Sequence, residues 1–151
     1  SYWSVDTIRR WRNGGKFDGK MLTEDQKHIY SIYQRILTLC NKEKAITEGE
    51  FFDLMYANAN GWRFNEHKQY TFLRKAGKEL LFIIVNFDHI SVDVAINVPS
   101  HAFDFLQIPQ MDIYPAVDLL TGKTESISLL PYKATEVSVE GYSGKILKIK
   151  L

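Results

Sequence analysis

The pattern of hydrophobic and polar positions divides the chain into a helical first part and a strand-rich second part. Apolar residues recur at every third position over residues 5–11, behind a cap candidate at Ser4, and predict a short helix that ends at the glycine pair 14–15. Thr23 and Gln26 then form a capping box, which predicts a longer helix to about Asn41. Its apolar stripe has helical spacing: Ile29, Ile32, Tyr33, Ile36, Leu37 and Cys40.

From Ala45 onward the helical period gives way to alternation, which predicts a boundary between a helical segment, residues 1–44, and a β-rich domain, residues 45–151. Residues 69–75 and 79–87 are extended runs joined through Gly77, as in a β-hairpin. The second run is apolar on both faces at residues 80–85, which is typical of a central strand. Residues 92–98 alternate as a strand with one buried face, and Pro99 ends them.

Two more turn signals, at residues 121–123 and 141–144, predict two further hairpins. The first joins residues 116–120 to 125–130, and the second joins residues 135–140 to 145–151. About seven or eight short strands separated by turns predict a mainly β fold, an antiparallel β-sandwich with Greek-key connections, preceded by two N-terminal helices.

Composition and charge narrow the range of partners. The 151 residues suffice for one domain but not for a (β/α)8 barrel of about 250 residues. Nineteen basic residues stand against eighteen acidic ones, mixed along the chain, so neither nucleic acid nor a membrane surface is expected as a partner. The one cysteine, Cys40, excludes an internal disulfide and is predicted to be a buried thiol in the helix stripe.

A search for reactive groups yields no catalytic site. The histidines and the cysteine lack metal-ligand spacing, and neither a phosphate-binding loop nor a nucleophile elbow is present, so no metal or cofactor is expected. Carboxylates fall in turns, at strand ends or on predicted solvent faces, and no pair stands out by spacing as glycosidic chemistry would require. These surface charges are Glu48, Glu50, Asp53, Asp88, Asp93, Asp104, Asp112 and Asp118.

A polar loop at residues 56–62 carries two aromatic rings, Tyr56 and Trp62, among asparagines. Exposed rings beside amide groups are the platforms on which sugar rings stack, so Tyr56 and Trp62 are candidate carbohydrate-binding residues. The alternative is that Trp62 folds back and covers the core. Trp3 and Trp11 are predicted to pack at the junction with the sheet or with a further domain.

Several short segments occur in a recognisable order: QRILTL at 34–39, AITEGEF at 45–51, YTFLR and IVNF within 70–87, DLLTG at 118–122, and the last strand at 144–151. In this order they resemble the C-terminal part of the alpha-amylase family of glycoside hydrolases (family 13), and most closely its bacterial, Bacteroides-type members. In that family the last barrel helix leads into an antiparallel β-sandwich. The nucleophilic Asp, the acid/base Glu and the third Asp sit on barrel strands upstream of the matching segment, so no catalytic residue is carried over to this chain.

The resemblance implies a non-catalytic accessory domain that stabilises the barrel of a parent enzyme acting on α-glucans. The barrel is then the main partner, and an exposed apolar surface around Trp3, Trp11, Ile32 and Tyr33 is expected where it docks. Two alternatives stay open: a carbohydrate-binding module that holds α-glucan through Tyr56 and Trp62, and a free-standing β-sandwich interaction domain. The compartment stays open as well, with a periplasmic or extracellular parent as one option.

Overall fold

The computed structural model describes residues 12–13, 16–17 and 23–151. Two short strands, β1 (Arg12–Asn13) and β2 (Lys16–Phe17), pair antiparallel. The predictions for a helix at residues 4–11, for Trp3 and Trp11, and for the side chain of Cys40 lie outside what is described.

The rest of the described chain contains three helices and eight strands. The helices are α1 (Glu24–Cys40), α2 (Lys44–Thr47) and α3 (Ser100–Leu106), and a 3-10 turn spans Tyr56–Asn58. The strands are β3 (Glu50–Asp53), β4 (Gln69–Ala76), β5 (Glu79–Asn86), β6 (Val92–Ile96), β7 (Met111–Asp118), β8 (Thr124–Leu129), β9 (Thr135–Val139) and β10 (Ser143–Lys150).

These eight strands form two antiparallel sheets. One has six strands in the order β3-β4-β5-β10-β7-β8, and the other consists of β6 and β9. Strands β7 and β8 form a hairpin, β9 crosses to the second sheet, and β10 returns beside β7, which is the Greek-key order. The predicted mainly β antiparallel sandwich is confirmed.

Strand β5 lies in the middle of the six-stranded sheet and contributes to two cores, as its double-sided apolar run predicts. Leu80, Phe82 and Ile84 face the larger core, which β6, β9 and α3 cover from the other side. Leu81, Ile83 and Val85 face the opposite way, into a smaller core under α1. The molecule therefore has three layers: α1, the six-stranded sheet, and a layer made of β6, β9 and α3.

Helix α1 begins as its capping box predicts. The Thr23 amide donates to Gln26 Oε1 at 3.1 Å, and the Gln26 amide donates to Thr23 Oγ1 at 3.3 Å. Ile32 and Ile36 of its apolar stripe are buried against the sheet. The expectation that Ile32 is exposed is therefore wrong, because the second apolar face of β5 is available within this chain and α1 covers it. Tyr33 is half-buried, and burial raises its pKa.

The hairpin prediction for the last two strands is wrong. Strand β9 pairs with β6, whereas β10 pairs with β5 and β7, so the connection at residues 140–142 crosses between the sheets. This connection packs against residues 88–90: the Tyr142 amide donates to the Asp88 carbonyl at 2.8 Å. Gly141 is needed there because a Cβ would lie 2.2 Å from the His89 carbonyl oxygen.

The stretch after Pro99, for which no regular element was predicted, contains α3 and the start of β7. Ala102, Phe103 and Leu106 bury one side of α3 in the larger core. Strand β7 continues through Pro115. Its even-numbered amides point to β8, as the Asp118 amide does at 2.8 Å from the Lys123 carbonyl, and β7 pairs with β10 only at Val117 and Asp118. Pro115 therefore falls where no ladder bond is lost.

Candidate functional site

The loop between β3 and β4 is fastened to the free edge of β6. The side chain of the buried Asn58 donates from Nδ2 to the Asn97 backbone carbonyl at 3.0 Å, and its Oδ1 accepts from the Asn97 backbone amide at 2.7 Å. The same Nδ2 group donates to the Leu54 carbonyl at 2.8 Å. Further along, the Ala95 amide donates to the Arg63 carbonyl at 3.1 Å. The loop thus covers a strand edge, which would otherwise expose unpaired backbone groups, and it holds its own side chains in fixed positions.

Trp62, the one tryptophan among the described residues, is exposed, with 71% of its surface accessible. The guanidinium of Arg63 lies 4.9 Å from the centre of its ring, within cation–π range. Arg63 is in turn held by the Asp93 carbonyl at 3.0 Å and by Glu136 at 2.6 Å. The alternative in which Trp62 covers the core is therefore wrong, because Phe64 occupies the core position in this loop instead.

Tyr56 is also exposed, at 61%, but its ring neighbours differ from those of Trp62. Its ring centre lies 6.3 Å from that of Phe52, which is buried. The same Phe52 ring contacts His101 at 5.7 Å and Phe105 at 6.0 Å, both from α3. Tyr56, His101 and Phe105 therefore form one exposed group of rings over Phe52, which we name the aromatic patch.

His101 and Phe105 were not among the sequence-predicted site residues. They are four positions apart, the spacing that places two side chains on one face of a helix. The signal was present, because Ala102, Phe103 and Leu106 have helical spacing directly after Pro99.

A second group of exposed apolar side chains lies on the side of the six-stranded sheet that carries α1, which we name the α1 face. Phe51 on β3 pairs with Arg74 on β4, and Arg74 in turn pairs with Leu81, which lies under the helix; Phe51 is 44% exposed. Toward the other edge of the sheet, Val117 on β7 pairs with Lys148, which is opposite Leu81, so Val117 lies on the same face and is 39% exposed. Ile113, further along β7, is 64% exposed. The α1 face therefore presents apolar surface on both sides of the helix that covers its centre.

Polar contacts tie the connection between α1 and β3 to the sheet. Lys148 on β10 donates to Glu43 at 3.2 Å and lies 3.5 Å from Glu79. The hydrogen bond to Glu43 and the negative charge of both carboxylates raise the pKa of Lys148, against the effect of its partial burial. Arg74 donates to the Ile46 carbonyl at 2.5 Å. The helical segment and the sandwich are thus joined by both apolar and charged contacts.

The prediction that Asp118 is a surface charge is wrong, since only 3% of this residue is exposed. Its carboxylate accepts from the Leu120 amide at 3.1 Å, the Thr121 hydroxyl at 3.1 Å and the Ile146 amide at 3.3 Å. The carboxylate thereby closes the turn between β7 and β8 and fastens it to β10. Its bonds are all to its own turn and to the neighbouring strand, which is a structural role.

Other acidic residues are also used structurally. Asp88 is largely enclosed, which by itself raises its pKa, but the His89 amide and the Lys68 ammonium outweigh that effect and lower it. Glu125 pairs with Lys145 at 2.7 Å. Among the side chains that the structure describes, no cluster of three or more His, Cys, Asp or Glu residues is placed to hold a metal ion. None of the described helices has the length and apolar character to cross a membrane.

Comparison with known proteins places the fold. No protein-family model matches the chain, and no curated protein matches it in sequence. Solved alpha-amylases are among the structures that share its fold. The maltogenic alpha-amylase from Thermotoga neapolitana matches 81% of this chain at 14% identity with a TM-score of 0.56. The alpha-amylase from Geobacillus thermoleovorans in complex with acarbose matches 78% of this chain at 13% identity with a TM-score of 0.52. The alpha-amylase from Anoxybacillus matches 90% of this chain at 12% identity with a TM-score of 0.50.

The matching part is 25%, 22% and 26% of these three enzymes, so the chain spans about a quarter of their length. At such identities the likeness concerns the fold. The chain has the β-sandwich architecture of a segment found within larger alpha-amylase chains.

Proposed function

We propose that this chain is the non-catalytic C-terminal accessory domain of an alpha-amylase-like glycoside hydrolase acting on α-glucans, and that it stabilises the catalytic barrel. The observation that carries the proposal is the α1 face. There a helix that resembles the last barrel helix lies on the sheet, and apolar side chains remain exposed on both of its flanks, at Phe51 and at Ile113 with Val117. Exposed apolar surface on both sides of a packed helix is what a larger partner on that side would cover.

The order of the elements supports the same reading. Helix α1 precedes the sandwich, buries Ile32 and Ile36 against β5, and is joined to β10 through the ion pair of Glu43 with Lys148. We propose that residues 1–44 end the barrel and residues 45–151 form the accessory domain. Helix α1 then belongs to both: one side packs on the sandwich, and the barrel continues from the other. The Bacteroides type of the parent is part of the proposal and rests on the motif order.

No catalytic role is proposed for this chain. The acidic residues with the best-defined surroundings, Asp88 and Asp118, are engaged by backbone amides and neighbouring side chains, which is how a structural carboxylate is used. Hydrolysis is proposed for the parent enzyme, whose carboxylates would precede the segment seen here.

The coding sequence that precedes residue 1 in the gene tests the proposal. It should encode a (β/α)8 barrel with two Asp and one Glu at the carboxyl ends of barrel strands. A start codon directly before this segment, or an unrelated upstream domain, would overturn the proposal and favour the free-standing interaction domain.

A second candidate, sugar binding at Trp62 and Tyr56, is favoured by the exposure of Trp62 on a loop whose neighbour Arg63 is doubly anchored. Titration of the chain with maltooligosaccharides, followed by tryptophan fluorescence, tests it. Trp62→Phe separates the response of this residue from those of Trp3 and Trp11. A signal unchanged at millimolar sugar, or one that survives Trp62→Phe, contradicts a role for Trp62.

A further inference from the structure

We infer that the C-terminal end of α3 forms a binding site for a neutral oligosaccharide, in which Phe105 stacks on a sugar ring and Glu50 and Gln107 bind its hydroxyl groups. The site adds residues that the loop candidates Tyr56 and Trp62 do not include. The choice of an α-glucan as the ligand rests on the proposed function; the site itself rests on the geometry of α3 and its neighbours.

A cavity of about 230 Å³ lies directly beside the Phe105 ring. Its walls are formed by residues of β3, β4, the turn after β4 and the end of α3: Glu50, Lys75, Gly77, Phe105, Leu106 and Gln107. Neither the Glu50 carboxylate nor the Gln107 side-chain amide hydrogen-bonds to another described residue, and both residues are exposed to solvent. A carboxylate and an amide that are free to bond, next to an aromatic face, are the groups with which proteins hold sugars.

The aromatic patch continues from Phe105 on its other side. The rings of His101 and Phe105 are nearly parallel, at 17°, with centres 6.3 Å apart, and both contact Phe52 beneath them. Phe105 is 51% exposed and Tyr56 is 61% exposed, so the patch extends the surface available to a chain of several sugar units. Phe105 is the shared wall between the stacking surface and the polar cavity.

The walls of the cavity are already held in place. Lys75 donates to the Leu106 carbonyl and reaches the Gln107 carbonyl at 3.5 Å. Its ammonium thus provides a hydrogen-bond donor for the backbone carbonyls at the C-terminal end of α3. Gln107 adopts a left-handed conformation with φ of 53°, which ends the helix. Lys75 and the backbone at the end of α3 therefore need little ordering on binding, whereas the side chains of Glu50 and Gln107 are ordered by the ligand itself.

The position of the site argues for a small ligand in place of the barrel. Phe52 and Lys75 alternate with Phe51 and Arg74, so the aromatic patch and the cavity lie on the α3 side of the sheet, opposite the α1 face. The barrel in the proposed function contacts the α1 face and leaves the α3 side open. The cavity lining contains one carboxylate and one ammonium and so carries no net charge, as suits a neutral ligand.

Isothermal titration of the 151-residue chain with maltoheptaose tests the inference, with cellohexaose as the linkage control. Phe105→Ala should weaken binding by about tenfold, as expected when one central aromatic contact is lost. Glu50→Ala should weaken it by about fivefold through the lost hydrogen bond. Tyr132→Ala, which removes a ring that is 80% exposed elsewhere on the surface, is the matched control and should bind like the wild type. Trp62→Ala should also bind like the wild type, which distinguishes this site from the alternative of sugar binding at Trp62.

The following results would each reject part of the inference. No heat of binding with maltoheptaose, wild-type affinity in both Phe105→Ala and Glu50→Ala, or loss of binding only in Trp62→Ala overturns this site. Equal affinity for cellohexaose overturns the assignment to α-glucans. Circular dichroism melting of each variant shows whether that variant folds. If Phe105→Ala fails to fold, the affinity of Glu50→Ala still tests the site. The upstream coding sequence tests the proposed function separately, so a barrel found upstream of a chain that does not bind sugar rejects only this inference.

Discussion

Asn58 and Asn97 are joined by a reciprocal pair of hydrogen bonds in which a side-chain amide takes the place of a strand. The Asn58 Nδ2 donates to the Asn97 carbonyl at 3.0 Å, and the Asn97 amide donates to Asn58 Oδ1 at 2.7 Å. The two residues are 39 positions apart, and Asn58 is fully buried. This contact holds the loop that carries Tyr56 and Trp62 against the edge of the smaller sheet.

Asn58→Ala should lower the free energy of unfolding by about 2 to 3 kcal/mol, because it leaves the buried Leu54 carbonyl and the part-buried backbone groups of Asn97 without their partner. Urea denaturation followed by circular dichroism measures the loss. Asn97→Ala is the matched control: it keeps the backbone that Asn58 binds and should change stability by less than about 0.5 kcal/mol. Equal effects of the two substitutions would contradict the role assigned to the Asn58 side chain.

Ile32→Ala should lower the free energy of unfolding by about 2 to 4 kcal/mol and shift a single transition, since Ile32 is buried between α1 and the sheet. Ser31→Ala, at an exposed position one residue away, should leave the midpoint nearly unchanged. Denaturation followed by far-ultraviolet circular dichroism and by tyrosine fluorescence checks whether helix and sheet unfold together. Separate transitions for the two probes would show that α1 is not part of the same cooperative unit.

Lys148→Met should cost about 1 to 2 kcal/mol at neutral pH, as expected for a partly enclosed pair with Glu43. Because the pKa of Lys148 is raised above its ordinary value of 10.5, the pair stabilises the fold below that pH. The contribution is lost as the pH rises through the raised value. Wild-type stability should therefore fall above about pH 10.5, and the variant should lack this part of the decline.

Lys150→Met, at an exposed position on the same strand, is the control for that comparison. Urea midpoints measured between pH 7 and pH 11 give both curves. Parallel curves for Lys148→Met and the wild type would reject the charge pair as a source of the alkaline decline.

Ile113→Ser combined with Val117→Ser should leave the stability of this chain within about 0.5 kcal/mol, since both side chains are exposed. In the parent enzyme the same double substitution should lower the melting temperature of the barrel, because the α1 face is proposed to be covered there. Ile90→Ser, at an exposed loop position, is the control. A parent enzyme that melts at the wild-type temperature would argue against contact at this flank.

Several elements followed from local signals in the sequence. The turn at Gly77 requires a positive φ, observed at 60°, which glycine adopts without strain, and it joins β4 and β5 as predicted. The capping box marks the start of α1, and it is a local signal because its two partners, Thr23 and Gln26, are only three residues apart. The double-sided apolar run of β5 placed that strand in the sheet centre.

Features that depend on distant partners were not predictable in this way. The glycine-containing segment before β10 has the composition of a hairpin turn, yet β9 and β10 lie in different sheets, because β10 fits between β5 and β7 and β9 completes the edge of β6. The residues around Asp118 are typical of a surface turn, and they predict an exposed carboxylate. The carboxylate is buried because β10 packs against the turn and the Ile146 amide donates to it.

By itself the sequence determined the helix–sandwich order, the boundaries of α1 and β5, and the presence of rings at Tyr56 and Trp62, because periodicity, caps and turns act over a few residues. Tertiary structure alone decided which rings meet. It gave Tyr56 and Trp62 different neighbours, brought Tyr56 together with His101 and Phe105 over Phe52, and set the cavity beside Phe105. The reason is that a binding surface is made where the packing of β3, β4 and α3 brings residues together that are tens of positions apart in the chain.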